Sequence, residues 1–182
     1  MAVERSFGRP DPVELRLGGR SLFLRGQIDR LDVAGPLTLV RDLKTGRARP
    51  RLGKAAMPEP VLDVQIAVYG LVTRLLARGW GVPERVGTAY AYIGRGVEER
   101  AWRDDFHETL EPAARDWLAL AADLLSQRVF PRTPRESDCT HCAFQPVCGD
   151  DAYERAAQVL TSGDSLLARF RALKGLDEDT EA

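Results

Sequence analysis

The sequence predicts an α/β fold, a small mixed sheet flanked by helices, followed by a C-terminal cysteine-rich helical module. Three observations predict it. Short alternating apolar runs between residues 13 and 44 are punctuated by Gly18-Gly19 and Gly35-Pro36, as strands joined by tight turns are. Two longer segments, 61–78 and 110–128, place apolar residues at helical spacing. All three cysteines of the chain, Cys139, Cys142 and Cys148, fall within one short stretch near the end.

Taken in order, Val13, Leu15 and Leu17 alternate with Glu14 and Arg16, and Gly18-Gly19 turns this strand into the next, 22–32. With 37–44 these strands are expected to form an antiparallel meander. Pro58-Glu59-Pro60 introduces a helix over 61–78, with Gly79 as its expected stop. Leu62, Ile66, Leu71, Leu75 and Leu76 mark its apolar face. A strand over 86–93 and a partner over 97–106 follow, and Tyr90, Tyr92 and Trp102 read as packing residues rather than base-stacking ones. His107 reads as a solvated or capping residue. The helix over 110–128 is expected to bury Trp117, Leu118, Leu120, Leu124 and Leu125, with Asp116 and Asp123 on its wet side. A last helical region, 151–174, should break near Ser162-Gly163-Asp164 and bury Leu166, Leu167, Phe170 and Leu173, before an acidic tail.

At 182 residues the chain is long enough for one domain with a real core. Its net charge of −1 and pI near 6.2 do not exclude a nucleic-acid partner, because local patches decide contact with phosphates. No apolar run reaches spanning length and the start lacks a signal-peptide core, so a cytoplasmic protein with no membrane partner is expected. No phosphate-binding loop is present, which argues against ATP hydrolysis by this chain.

The chemistry concentrates between Gly26 and Gly46, GQIDRLDVAGPLTLVRDLKTG. If the hairpin folds about Gly35-Pro36, Asp29 lies opposite Asp42, and strand alternation puts Lys44 on the same face. Two carboxylates held that close repel, and one would take up a proton unless a cation lay between them. Oxygen ligands of this kind suit magnesium, with the Leu43 backbone carbonyl as a further donor. Lys44 is placed to hold a water or hydroxide and to balance charge on a phosphate. The chemistry implied is metal-assisted phosphodiester hydrolysis. A surface hairpin with a cross-strand Lys–Asp pair accounts for the same residues, and taken alone they leave both readings open. Beyond it, Arg47, Arg49, Arg51 and Lys54 form a basic loop that reads either as a clamp on a DNA backbone or as a solvated loop. Clustered cysteines in a reducing compartment point to metal rather than a disulfide.

Gly26-Gln27-Ile28-Asp29-Arg30-Leu31-Asp32, then Asp42-Leu43-Lys44-Thr45-Gly46, then Gln65 and Tyr69, resemble the PD-(D/E)XK nuclease superfamily, in the RecB-like branch that includes AddB-type nucleases. The resemblance implies a restriction-endonuclease-like core, with Asp29 and Asp42 binding Mg2+ or Mn2+ and Lys44 catalytic. It places Gln65 near the active site or its water, and Tyr69 on the nucleic-acid backbone or in support of the site. It implies a DNA nuclease, exonucleolytic, in recombination or repair, with a helicase subunit or fused helicase domain as partner. Members with a [4Fe-4S] cluster share the C-x2-C-x5-C spacing of Cys139, Cys142 and Cys148, where the cluster ties the domain's ends together. Their upstream cysteine has no counterpart here, and zinc completed by His141 is the weaker fit. The branch also carries helical sequence and a metal-binding His ahead of the position of Asp29. Neither precedes Asp29, so the chain reads as the C-terminal portion of a larger nuclease, with its core in 1–135 and the cysteine motif in 136–182. The same gap keeps a second expectation open, a catalytically incomplete DNA-binding or helicase-partner module.

Overall fold

The computed structural model describes residues 3–45, 60–93, 97–102, 106–135, 139, 142–149 and 151–176. The elements run β1 (Val3–Phe7), β2 (Val13–Leu17), β3 (Arg20–Leu24), β4 (Gly26–Ala34), β5 (Leu37–Lys44), α1 (Pro60–Trp80), β6 (Arg85–Ile93) and β7 (Val97–Trp102). They continue with α2 (Leu110–Gln127), α3 (Gln145–Cys148), α4 (Ala152–Leu160) and α5 (Ser165–Lys174). Contacts divide the chain into Met1–Ala119 and Leu120–Ala182, with α2 running through the division.

In Met1–Ala119 five strands form one sheet in the order β1-β4-β5-β6-β7. Only the β5–β6 pair among them is parallel. A parallel pair needs a crossover rather than a hairpin, and α1 supplies it. Helix α1 turns Ile66, Ala67, Leu71 and Val72 to the core at helical spacing. Gly70 sets how closely it packs: a Cβ there would lie 2.4 Å from Phe106 Cζ and 2.7 Å from Thr88 Cγ2. The missing side chain lets the helix backbone settle against β6. Ile28, Leu31, Val40, Val86, Phe106 and Leu110 complete a core held between sheet and helices. This is the predicted α/β class, a small mixed sheet flanked by helices, consistent with a restriction-endonuclease-like fold.

The strand order departs from the expected meander in one respect. The 22–32 strand is broken at Arg25: β3 pairs with β2 in a separate two-stranded sheet, and β4 pairs with β1. The N-terminal strand takes the ladder position a meander would give to β2. Phe7 is the reason, because its buried ring occupies the space above Gly26, where a Cβ would lie 2.6 Å from Phe7 Cζ. Helix α1 also passes through Gly79. It stops at Gly81 (φ 68°), where the Gly81 and Val82 N–H groups bond to the Arg78 and Ala77 carbonyls in a Schellman arrangement. Leu75 is exposed rather than on the buried face.

In Leu120–Ala182, Leu120 and Leu124 are buried on α2, while Leu125 is exposed, one step round the helix. Helices α4 and α5 break where Ser162-Gly163-Asp164 predicts. Asp164 caps α5 by accepting from the Leu166 and Leu167 N–H groups, and Gly175 ends it in the left-handed conformation. Ala156, Leu160 and Leu167 are buried along these helices. Among the described residues, no helix is long and apolar enough to cross a membrane.

Candidate active site

The β4–β5 hairpin turns on Gly35-Pro36, with Gly35 at φ 57°, the positive φ a two-residue turn favours at its first position. Register runs from Ala34↔Leu37 to Arg30↔Arg41, so the next pair outward is Asp29 with Asp42. On the other side of β4 the register slips: Val3 pairs with Leu31 but Arg5 with Ile28. Asp29 and Arg30 thus stand opposite the single residue Glu4, a bulge that lets Ile28 and Leu31 both face the core. The Asp29 carboxylate is left exposed and reaches across to accept the Leu43 N–H at 2.8 Å.

Asp42 is 3% exposed, at the point where the core gives way to solvent. Lys44 Nζ lies 2.5 Å from its Oδ2 as an ion pair, so the ammonium is the charge beside that buried oxygen. Burial pushes the Asp42 carboxyl above the ordinary carboxylate range; Lys44 opposes the shift and the nearby Asp29 charge adds to it. Lys44 also donates to Gln65 Oε1 at 3.2 Å, and Gln65 Nε2 donates to the Tyr69 hydroxyl at 3.1 Å. The first bond fixes which end of the Gln65 amide faces Lys44, because an ammonium only donates. Residues four apart on one helix face and two apart on one strand face meet here because α1 lies over the even-numbered face of β5. Tyr69 is braced by Phe7, edge to face at 6.3 Å.

This donor set fits a hard divalent cation. It holds two carboxylates from neighbouring strands, one of them buried and raised by its own surroundings, a repulsion relieved by a cation. Cys142 N–H bonds to the Cys139 carbonyl at 3.0 Å, a tight turn, and Cys142 is exposed. Among the described residues no group of three or more His, Cys, Asp or Glu side chains could hold a metal ion. Arg47, Arg49, Arg51, Lys54 and His141 lie outside the described residues.

A family model for the PD-(D/E)XK nuclease superfamily matches residues 1–149. The chain belongs to that superfamily. Membership implies a metal-dependent nuclease, a hydrolase of phosphodiesters. No curated protein matches the chain. Among solved structures, the crystal structure of SSO0001 is similar over 81% of this chain, at 19% identity and a TM-score of 0.43. The chain spans 59% of that structure's length.

The residues singled out in the sequence stand on three elements: Asp29 on β4, Asp42 and Lys44 on β5, Gln65 and Tyr69 on α1. Three features around them escape sequence reading. The bulge at Asp29–Arg30 depends on β1, whose pairing has no local signature. Tyr90, read as a packing residue, is buried as expected but also lies under Lys44, 5.4 Å from ring centroid to Nζ. Glu111, at the start of α2, is buried among Arg74, Arg115 and His107. Burial works against its charge, but His107, Arg115 and Arg74 outweigh it and hold the carboxyl below its ordinary value. His107 is therefore engaged with Glu111 rather than simply solvated. On the opposite face of the hairpin, Asp32 bonds both Arg30 and Arg41. It relieves the repulsion of two arginines facing each other across the strands.

Proposed function

We propose that this chain is a Mg2+- or Mn2+-dependent deoxyribonuclease of the RecB-like branch, acting exonucleolytically in DNA recombination or repair. The observation that carries the reading is the buried Asp42 carboxylate, paired with Lys44 and raised by burial and by the nearby Asp29 charge. Asp29 and Asp42 would hold the cation, with the Leu43 carbonyl as a further oxygen donor. When bound, the cation supplies Lewis-acid charge at the phosphate and a nucleophilic water at neutral pH. Lys44 presents its ammonium beside Asp42, where it offsets negative charge on the phosphate. Gln65 holds that ammonium by its amide oxygen, and Tyr69 holds the amide. The basic stretch Arg47, Arg49, Arg51 and Lys54 follows Lys44 in the chain and is assigned to the DNA backbone. The reading takes 1–135 as nuclease core and 136–182 as a cysteine-bearing end. It includes a [4Fe-4S] cluster on Cys139, Cys142 and Cys148 whose fourth ligand comes from elsewhere, a helicase partner and a cytoplasmic setting.

A second reading, a DNA-binding or helicase-partner module with an incomplete metal shell, draws on the small donor set: two carboxylates, with no third metal-binding side chain beside them among the described residues. One experiment separates the two. Purified chain is incubated with Mg2+ and linear or circular DNA, beside Asp42→Ala and Lys44→Ala. The nuclease reading expects the parent to degrade linear DNA and spare circles, and each variant to lose at least about a hundredfold in rate. Equal cleavage by parent and Asp42→Ala removes the metal assignment. DNA binding without cleavage by any of the three favours the second reading.

A further inference from the structure

Tyr90 sits on β6 directly across from Asp42 in the parallel register, and it is 5% exposed. Lys44 Nζ lies over its ring, 5.4 Å from the centroid, inside the range at which an aromatic face attracts an ammonium. Tyr92, the register partner of Lys44, packs beside it with centroids 6.3 Å apart. The Lys44 ammonium thus has three neighbours of different chemistry: the Asp42 carboxylate, the Gln65 amide oxygen and the Tyr90 ring.

Only the carboxylate is an anion, and it is the neighbour a divalent cation claims. A carboxylate shared with a dication holds an ammonium weakly, because the dication repels the ammonium across a few ångströms. Lys44 needs other anchors if it is to stay in place once metal is bound. The Gln65 oxygen is one, but it is exposed and competes with water. The Tyr90 face is the buried one, and it carries no net charge for the cation to take over.

We propose that Tyr90 is a positioning residue of the nuclease site, its ring face holding the Lys44 ammonium in place while Asp42 is engaged by the metal. The proposal rests on the nuclease reading of the Asp42–Lys44 pair, and it is tested by a measurement that does not need cleavage.

The chain has three lysines, Lys44, Lys54 and Lys174, so carbon-13-labelled lysine gives few signals, and Lys44→Arg identifies the one that matters. Ring current moves the Lys44 methylene beside the nitrogen upfield of its unstructured-chain position. The shift is expected in the parent and in Tyr90→Phe, with and without Mg2+, and is lost in Tyr90→Leu. In cleavage assays Tyr90→Phe keeps kcat within about threefold, whereas Tyr90→Leu loses roughly tenfold in kcat at unchanged KM for DNA. A parent signal at the unstructured position, a shift that vanishes on adding Mg2+, or Tyr90→Phe losing as much as Tyr90→Leu overturns the proposal. If Tyr90→Leu fails to fold, the parent spectra with and without Mg2+ decide alone. A parent that cleaves no DNA while its Lys44 signal stays upfield sinks the nuclease reading and leaves the ring–ammonium contact established.

Discussion

Two glycines of α1 should respond oppositely to the same substitution. At Gly70 an added methyl would sit 2.4 Å and 2.6 Å from Phe106 ring carbons and 2.7 Å from Thr88 Cγ2. Phe106 and Thr88 are both fully buried, so neither can swing clear. Ordinary carbon contact begins near 3.5 Å, so the helix or the ring must give by roughly 1 Å. Overpacking of this kind costs about 1–3 kcal/mol. Replacing a helical glycine by alanine returns about 1 kcal/mol, which leaves Gly70→Ala destabilised by up to about 2 kcal/mol. Gly79 is also helical, has no positive φ, and a Cβ there meets nothing within 4 Å. Gly79→Ala should keep most of the propensity gain and stabilise by about 0.5–1 kcal/mol. Thermal melting followed by circular dichroism should place Gly70→Ala below the parent by up to about 8 °C and Gly79→Ala a few degrees above it. Because α1 carries Gln65, the retreating helix should also weaken the Lys44–Gln65 bond and lower cleavage by Gly70→Ala. A Gly70→Ala chain melting at or above the parent would refute the claim that Gly70 sets the helix–sheet spacing.

Further expectations concern the charged groups and the strand edge. The folded state raises the Asp42 pKa above its ordinary 3.8, so the metal-free fold binds more protons there than the unfolded chain. Metal-free stability should fall as pH rises from 3.8 through the folded value, and Asp42→Asn should remove that fall and be more stable than the parent at neutral pH. Added Mg2+ should raise the melting temperature of the parent and leave Asp42→Asn unmoved; an equal rise in both would place the metal elsewhere. Glu111 behaves with the opposite sign. Its folded pKa lies below the ordinary 4.5, so its contribution is present above 4.5 and lost as pH falls through the folded value. Glu111→Gln should flatten the acid limb of the stability profile, which a melt series from neutral to acid pH reads directly. Gly26→Ala should lose about 1–3 kcal/mol by driving a methyl into the buried Phe7 ring, seen as a lower denaturation midpoint.

The sequence by itself determined the parts whose cause is local. Alternation and turn residues located β4, β5 and the turn between them, and from the turn the opposition of Asp29 and Asp42 follows. Helical spacing located α1, α2 and the break at Ser162-Gly163-Asp164, and placed Gln65 and Tyr69 on one side of a helix. Tertiary structure decided whatever depends on a partner distant in the chain. β1 lies beside β4 because the Phe7 ring fits over Gly26, and that pairing creates the bulge that re-aims Asp29. Leu75 and Leu125 satisfy the helical pattern yet face solvent, because no element among the described residues covers their side of the helix. Glu111 is buried among Arg74 of α1, Arg115 of α2 and His107 of the segment before α2. Lys44 meets Gln65 and Tyr90 only because the β5–α1–β6 crossover folds the helix back over a parallel pair. Hydrophobic periodicity says which face of an element is buried; which neighbour buries it, and which charge is stranded at the rim, is settled when the elements pack.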